Sequence, residues 1–300
     1  MFMGTPDFAV PSLVKLAESF QVVGVITQPD RPSGRGRKLV PSPVKRIALE
    51  SSLEVFQPGN ANAESSLTKI QEWNPDLICV AAYGQILKPA LLDLPKSGCI
   101  NVHASLLPRW RGASPINAAI LHGDSQTGVT IMQMGPGLDD GPILAQESID
   151  ILPNETAGAL SDRLADLGGK LLTATIPLLI AGMVSPQIQD LSLTTYAPQL
   201  KKSAGELNFE LSAESLARNV RAFSPWPGTY TFWKEQRLII HHARAVSVTS
   251  PGAGVLTVYE GYPAIGTSAG TLVLDQLQLA GKNKTTGPAF INGNPDWLSN

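Results

Sequence analysis

Short apolar runs alternate with longer amphipathic segments over the first 150 residues. Several of the apolar runs are continuous, as expected for strands buried on both faces of a sheet, and they lie at residues 22–27, 76–82, 99–103 and 129–134. Segments with helical spacing lie between or beside them, at residues 10–19, 43–51, 64–73 and 114–122. This alternation predicts an α/β domain with a doubly wound, mostly parallel sheet and helices on both faces.

A long amphipathic helix is predicted to follow these strands. Its predominantly apolar face has side chains at intervals of three and four residues: Leu160, Leu164, Leu167, Leu171, Thr175 and Leu178. Pro177 is expected to kink the helix or to shorten its end. The polar segment that comes next, residues 183–204, contains Ser, Thr and two prolines and is predicted to be a linker.

The pattern changes after residue 205. Short apolar runs at residues 237–246, 254–261 and 271–281 are separated by Gly, Pro and Ser, which is typical of a small antiparallel β-barrel or sandwich. The predicted domains are therefore residues 1–182 and 205–300, joined by the linker 183–204.

Composition and charge narrow the class of protein. The chain is 43% hydrophobic and 16% charged, which is enough apolar material for a globular core, and its net charge of −2 gives no general attraction to a polyanion. Cys79 and Cys99 lie in apolar runs and are expected to be buried and reduced. No apolar run approaches the roughly 18 residues of a membrane span, and the N-terminus does not resemble a signal peptide. These features predict a cytoplasmic protein without a membrane segment.

The common cofactor motifs are absent from the sequence. There is no G-x-G-x-x-G after the first predicted strand, no G-x-x-x-x-G-K-[ST] and no G-x-S-x-G. Four histidines without a His-x-x-x-His or Cys-x-x-Cys pair favour a protein without a metal site.

Asn101 and His103 are the first candidates for chemistry. Residues i and i+2 of a strand face the same side, so both side chains converge at the carboxyl end of the strand at 99–103, where open α/β sheets bind ligands. A histidine there can carry a proton or, when charged, stabilise an oxyanion, and an amide can stabilise an oxyanion without titrating. A hydrogen-bonded structural pair is the alternative.

The stretch GPGLDDG, residues 135–141, predicts a sharp loop at the end of the adjacent strand. An aspartate in this loop can hold His103 in one tautomer and stabilise its charged form. The alternative is that both aspartates only form the turn.

A basic segment lies at residues 31–46, where six basic residues occur without an acidic one. Its glycines and prolines exclude a regular helix over most of the segment, and long loops in compact domains are usually functional or disordered. It is interpreted as an arm that grips phosphates, with a solvated basic loop as the alternative. The stretch SLLPRWRG, residues 105–112, is predicted to extend this surface, with Trp110 as a stacking face.

Taken together, these segments resemble the methionyl-tRNA formyltransferase family, which uses 10-formyltetrahydrofolate. The resemblance rests on GTPDFAVPSL, on GCINVHASLLPRWRGASPI, on GVTIMQMGPGLDDGPIL and on FSPWPGTY, together with the basic segment and residues 80–89, and it spans nearly the whole chain. It implies a Rossmann-like catalytic domain followed by an OB-like domain that holds the tRNA acceptor arm.

The resemblance also implies roles for individual residues. The catalytic set that it implies is Asn101, His103 and Asp139, the last being the aspartate of the family's G-L-D-x-G pattern. The folate-binding residues that it implies are Ser105, Leu106, Leu107, Pro108, Gln85, Ile86 and Leu87. The tRNA-binding residues that it implies are Arg31, Arg35, Arg37, Lys38 and Lys45. The expected partners are initiator Met-tRNA and the folate co-substrate, and the expected oligomeric state is a monomer.

The mechanism expected from the resemblance is formyl transfer to the α-amino group of methionyl-tRNA. Asn101 and protonated His103 would stabilise the tetrahedral oxyanion, and Asp139 would orient His103 and help to relay a proton to the departing folate nitrogen. A formyltransferase that acts on a small amine, such as a sugar nucleotide or glycinamide ribonucleotide, is the near alternative. A non-catalytic RNA-binding protein is the alternative from another class.

Overall fold

The computed structural model describes residues 1–33 and 38–299. Its strands are β1 Phe2–Gly4, β2 Val25–Ile26, β3 Arg31–Ser33, β4 Lys38–Val40, β5 Val55–Phe56, β6 Ile78–Ala81, β7 Cys99–His103, β8 Arg111–Gly112, β9 Gln126–Gln133, β10 Ile143–Asp150, β11 Tyr196–Ala197, β12 Thr229–Trp233, β13 Gln236–Val246, β14 Leu256–Tyr259, β15 Tyr262–Gly266, β16 Thr271–Leu279 and β17 Thr285–Thr286. Its α-helices are α1 Val10–Ser19, α2 Pro43–Glu50, α3 Glu64–Trp73, α4 Pro89–Leu92, α5 Pro115–Leu121, α6 Ala157–Ile180, α7 Ala213–Ala222 and α8 Gly287–Gly293. Short 3-10 turns lie at Asp7–Ala9, Leu191–Leu193 and Lys202–Gly205.

The chain forms two compact units, each made of discontinuous segments. The first unit comprises Met1–Pro115, Gln126–Asp150 and Ser161–Ala197. The second comprises Ile116–Ser125, Ile151–Leu160 and Pro198–Asn300. The domain boundaries predicted at residues 182 and 205 stay a prediction.

The first unit is built on a seven-stranded sheet with the order β10-β9-β7-β6-β1-β2-β5. The five strands from β7 to β5 are parallel to their neighbours, whereas β9 is antiparallel to β7 and β10 is antiparallel to β9. The predicted doubly wound, mostly parallel sheet is confirmed. Because the chain runs from β1 to β2 on one side and later returns to β6 on the other, the topological switch point lies between β1 and β6.

Short buried segments suffice for the central strands of this sheet. All three residues of β1 are buried, and the strand lies between β2 and β6. At Gly4 a β-carbon would lie 2.8 Å from the Ala9 side chain and 2.9 Å from the Ala81 carbonyl oxygen, so no larger residue fits between strand and helix turn. Local capping agrees with the sequence, since the Ser42 hydroxyl accepts from the Lys45 amide at the start of α2.

Helix α6 packs on the sheet beneath β7. Leu160, Leu164, Leu172 and Ile176 are buried along its apolar face. At Gly168 a β-carbon would lie 2.7 Å from the Val102 side chain, so the absence of a side chain permits the close approach of helix and sheet. Pro177 lies inside the helix, which continues three residues further and ends at Ile180.

The second unit contains an antiparallel sheet of order β12-β13-β16-β15-β14, with β17 paired to β16. Its core includes Trp233, Phe290 and Trp297, whose ring centroids lie 5.5–5.7 Å apart. Helix α7 begins at a cap in which the Ser212 hydroxyl accepts from the Ser215 amide. The predicted antiparallel β domain after residue 205 is confirmed.

Both cysteines are buried and free. Burial raises the pKa of the Cys79 thiol and of the Cys99 thiol to about 12, so both stay protonated and unreactive. In the part of the chain that the structure describes, no helix combines the length and the apolar character that a membrane crossing needs.

Candidate active site

Strand β7 ends at His103, and Asn101 lies on the same face of the strand. The His103 side chain is 5% exposed, and Asn101 is partly exposed. Asn101 pairs with Val80 of β6 and with Met132 of β9. Asn101 and His103 therefore both lie near the carboxyl-terminal ends of the parallel strands β6 and β7. The structure therefore brings the predicted amide and imidazole to one place.

One hydrogen bond of the His103 ring defines its tautomer. Its Nε2 atom lies 3.0 Å from the Trp110 carbonyl oxygen. Because a carbonyl can only accept a hydrogen bond, Nε2 carries the proton in the neutral ring. The other nitrogen, Nδ1, faces Asp139, with 3.7 Å between Nδ1 and Oδ2. Nδ1 is therefore the atom that is left to accept a proton.

Asp139 reaches His103 by a different route from the one predicted. Strand β9 runs antiparallel to β7, so its last residue, Gln133, lies opposite Ile100 at the beginning of β7. The loop between β9 and β10 must turn back along β7, and Asp139 adopts a left-handed backbone with φ 48°. Its Oδ2 atom accepts a hydrogen bond of 2.9 Å from the Gly112 amide. Asp140 is exposed, so Asp139 is the aspartate that faces the histidine.

The environment lowers the pKa of His103. Burial is the largest cause, and the positive charge of Arg111 acts in the same direction, while Asp139 and the bond to the Trp110 carbonyl oppose them. The neutral imidazole is thus the resting form. His103 must therefore take up a proton before it can act as the charged oxyanion partner that the resemblance implies.

The residues Ser105–Pro108 form a turn that hydrogen bonds hold in place. The Leu107 amide donates to the Thr130 hydroxyl at 3.1 Å, and that hydroxyl donates to the Ser105 carbonyl at 2.6 Å. The amide of Gln146 donates to the Leu107 carbonyl at 2.9 Å and to the Thr130 hydroxyl at 2.9 Å. Ser105 and Leu107 are buried, and Leu106 and Pro108 are partly exposed.

The second predicted folate segment, residues 85–87, follows β6 at the same edge of the sheet. The Gln85 side chain is engaged with a neighbouring loop, since it accepts from the Ala61 amide at 2.8 Å and donates to the Gly59 carbonyl at 3.3 Å. Leu87 is buried in the core, whereas Ile86 is 80% exposed. Ile86 is thus the most exposed side chain of this segment.

The predicted tRNA-binding residues fall into three groups. Arg31 and Lys38 are exposed on β3 and β4, which form a two-stranded antiparallel ribbon. Arg35 and Arg37 lie outside the described residues. Lys45 lies in the first turn of α2 and forms an ion pair of 2.7 Å with Asp30 at the base of the ribbon, and Asp30 also accepts from Gln57 at 2.7 Å.

The arginines and the tryptophan after this turn do not form the exposed surface that the sequence predicts. Trp110 is 5% exposed and Arg111 is 4% exposed. Arg109 is exposed and its guanidinium lies over the Trp110 ring, 4.2 Å from the centroid. The prediction of a stacking face at Trp110 is wrong, because the indole packs inside the domain.

Within residues 1–33 and 38–299, no three His, Cys, Asp or Glu side chains come together in a way that could hold a metal ion.

Comparison with known proteins identifies the family. The sequence profile of formyl transferases matches residues 1–176, and that of the formyl transferase C-terminal domain matches residues 199–295. The methionyl-tRNA formyltransferase of Geobacter sulfurreducens is 44% identical over 294 residues, which cover 98% of this chain and 93% of that protein. That of Marinobacter nauticus is 44% identical over 297 residues, 98% of this chain and 95% of the relative.

The chain belongs to the formyl transferase family.

Solved structures agree with this assignment at the level of the fold. The sugar 3N-formyl transferase WlaRD, crystallised with dTDP and 5-N-formyl-THF, has a TM-score of 0.67 at 19% identity and covers 94% of this chain and 97% of its own. The N-formyltransferase from Helicobacter canadensis, in complex with folinic acid and dTDP-3-aminofucose, has a TM-score of 0.66 at 18% identity and covers 91% and 97%.

Four further residues hydrogen-bond to segments of the candidate site, and the sequence alone did not single them out. Thr130 and Gln146 hold the turn at residues 105–108. Gln189 donates to the Asp139 carbonyl at 2.9 Å, and the Thr195 hydroxyl accepts from the Trp110 amide at 2.9 Å. The last two lie in the segment predicted as a linker, where no periodicity or motif marks them.

Proposed function

We propose that this formyl transferase transfers the formyl group of 10-formyltetrahydrofolate to the α-amino group of methionyl initiator tRNA. The observation that carries the proposal is the 44% identity to methionyl-tRNA formyltransferases over 98% of the chain. The two formyltransferase structures that hold a dTDP ligand share the fold at 18–19% identity. A protein that acts on charged tRNA works with the translation machinery in the cytoplasm, and we expect it to act as a monomer.

The reaction replaces one carbon–nitrogen bond with another. The ammonium of the aminoacyl group loses one proton to solvent, and the lone pair of the resulting amine attacks the formyl carbon to give a tetrahedral oxyanion whose attacking nitrogen is positively charged. That nitrogen then gives a second proton to the site. The bond between that carbon and N10 of the folate then breaks, and N10 takes up a proton. A site for this reaction must therefore accept one proton, stabilise one oxyanion and return one proton.

His103 is suited to the two proton transfers. Nε2–H donates a hydrogen bond to the Trp110 carbonyl, so Nδ1 is the nitrogen whose lone pair can accept a proton. When Nδ1 takes the proton of the attacking amine, the new imidazolium lies 3.7 Å from the Asp139 carboxylate, which stabilises it. The same proton then passes to N10 as the tetrahedral intermediate collapses. His103 thus begins neutral and is charged only during the reaction.

Asn101 supplies the donor for the oxyanion. It lies two residues before His103 on the same face of β7, and its amide does not titrate. A side-chain donor of this kind typically contributes about 10²–10³ in rate. Because the amide is neutral, it stabilises the negative oxygen without changing the proton balance at His103.

The substrates are expected to approach from the loops around this centre. The turn at residues 105–108 and the segment 85–87 follow β7 and β6, which are parallel neighbours, so both lie at the edge where folate is proposed to bind. The ribbon of β3 and β4 carries exposed cations, Arg31 and Lys38, that suit the phosphates of a tRNA end.

A formylation assay with competing amines tests the proposal. Purified protein is incubated with labelled 10-formyltetrahydrofolate and, in parallel, methionyl initiator tRNA, uncharged tRNA, a dTDP-amino sugar or glycinamide ribonucleotide. We expect label on the charged tRNA alone. Label on a small amine in place of charged tRNA would overturn the proposed acceptor, and no transfer to any amine would overturn the proposed activity.

A further inference from the structure

Gln189 makes four hydrogen bonds from a side chain that is 4% exposed. Its Oε1 atom accepts from Arg111 Nε at 3.0 Å and from Arg111 Nη2 at 2.7 Å. Its Nε2 atom donates to the Asp139 carbonyl at 2.9 Å and to the Gly141 carbonyl at 2.7 Å. Because the guanidinium can only donate and the carbonyls can only accept, the amide has one possible orientation and all its capacity is used.

The two carbonyls that Gln189 holds lie on either side of Asp140, in the part of the loop that presents Asp139. Asp139 has a left-handed backbone, which costs a residue with a side chain free energy unless its surroundings hold it. At Gly141 a β-carbon would lie 1.8 Å from the Gln133 carbonyl oxygen, so this part of the loop closes tightly on β9. Gln189 bonds to the backbone at both positions.

Arg111 connects the hydrogen bonds of Gln189 to the segment that binds the Asp139 carboxylate. Its strand, β8, pairs in parallel with β11, and the amide of the next residue, Gly112, donates to Asp139 Oδ2 at 2.9 Å. The guanidinium, 4% exposed, gives two hydrogen bonds to the neutral amide of Gln189. One two-residue strand therefore holds Asp139 at the carboxylate directly and at the carbonyl through Gln189.

We infer that Arg111 and Gln189 form a buried clamp that sets the position of Asp139 against His103, which makes Gln189 a positioning residue for formyl transfer. The effect on the rate of formyl transfer rests on the proposed function, whereas the effect on the position of Asp139 does not. Gln189 does not need to touch either substrate, since its effect passes through the carboxylate. If the clamp is released, Asp139 no longer lies close enough to stabilise the imidazolium that forms at His103.

The kinetic test uses Gln189→Met, which keeps the length of the side chain and removes both donors. The matched control is Gln187→Met, the same change at an exposed position two residues away. We expect Gln189→Met to lower kcat by about 10–100-fold, with the KM for tRNA within about twofold, and Gln187→Met to stay near wild type. In an Asp139→Asn background, adding Gln189→Met should lower kcat less than about threefold further. A full second loss in that background would overturn the inference.

A measurement without turnover separates the inference from the proposed function. In ring-labelled protein, the imidazole of His103 is assigned by comparison with His103→Gln and titrated by NMR. Burial is the largest cause that lowers its pKa; Asp139 and the hydrogen bond to the Trp110 carbonyl raise its pKa, and Arg111 lowers it. Withdrawal of Asp139 in Gln189→Met should therefore lower the pKa of His103, while Gln187→Met should leave it unchanged. An unchanged pKa in both variants would overturn the clamp even if the enzyme formylates tRNA.

In Gln189→Met the buried Arg111 side chain loses the acceptor that Gln189 provides, which can unfold the protein. A second variant is therefore needed that keeps this acceptor. Gln189→Glu keeps an acceptor for Arg111 and still removes both donors to the loop. If only Gln189→Met unfolds, Gln189→Glu is subjected to the same kinetic comparison, with Gln187→Glu as its control. Unfolding of both variants at 25 °C would overturn the inference, because a positioning role requires that the domain remain folded when the loop is released.

Discussion

Replacing Asp139 by Asn is the change that examines the site most directly. The substitution removes one negative charge and keeps the size of the side chain. The amide oxygen of Asn can still accept the hydrogen bond from the Gly112 amide, so the loop keeps that contact. The matched control is Asp140→Asn, the same change at the next position, which is exposed.

The expected loss can be worked out from the distance between Asp139 Oδ2 and His103 Nδ1, which is 3.7 Å. Two unit charges about 4 Å apart interact by about 4 kcal/mol when the effective dielectric constant is about 20. The interaction exists only while His103 is protonated, so it lowers the energy of the intermediate and not of the resting enzyme. About 4 kcal/mol corresponds to roughly 10³ in rate. Partial proton transfer in the transition state reduces this, so we expect a fall in kcat of about 10²–10³.

The assay is single-turnover formylation of methionyl initiator tRNA as a function of pH. Asp139 raises the pKa of His103, so its loss should move the acid limb of kcat/KM to lower pH. The substrate amine also titrates, but equally for wild type and variant, so the difference between the two profiles reports the enzyme. A rate for Asp139→Asn close to that of Asp140→Asn, or an acid limb that moves to higher pH, would refute the role given to Asp139.

Three more predictions follow from the same structure. Thr130→Val leaves two buried backbone groups without partners and should lower the free energy of unfolding by about 1–3 kcal/mol and raise the KM for folate; calorimetry and kinetics check this, and Thr127→Val on the same strand should change the KM little. Because the pKa of His103 is lowered in the folded protein, the unfolded chain takes up this proton first as the pH falls. The contribution of His103 to stability is therefore present above pH 6.5 and is lost as the pH falls below it. Between pH 7 and 5.5, the free energy of unfolding in urea should change less for His103→Gln than for wild type, and equal changes would contradict the assignment. Replacing Arg35 and Arg37 by Ala should raise the KM for tRNA more than for folate and flatten its dependence on salt by roughly one log-log unit per lost phosphate contact; an unchanged slope would favour a solvated loop.

The elements that sequence reasoning located well are those whose signals are local. Helices α1 and α3 have the predicted bounds, 10–19 and 64–73, and β7 has the predicted bounds 99–103. Apolar spacing and continuous apolar runs depend on neighbours within a few residues, so they survive without knowledge of the fold. The apolar run at β9 predicts a strand but not its direction, because the direction depends on how the chain connects the strands of the sheet.

Asp139 illustrates how a predicted residue can reach His103 by a route other than the predicted one. The sequence predicts it at the end of a strand next to β7, and β9 is that neighbour. The strands are antiparallel, however, so the end of β9 lies at the wrong end of β7, and the loop has to return to His103. The resemblance to a known pattern selected the residue, and the glycines in the loop permit the return, but spacing alone could not predict it.

The burial of Arg111 shows where such reasoning fails for a physical reason. A charged side chain is assumed to face solvent, because burial costs free energy unless a partner supplies hydrogen bonds. The partner here is Gln189, a neutral amide 78 positions away in a segment that reads as a linker. The amide satisfies part of the guanidinium without cancelling its charge, so the positive charge still acts on His103. A linker prediction assumes that polar side chains are exposed to solvent. At Gln189 the polarity serves the site instead, and only the contacts between distant segments distinguish the two.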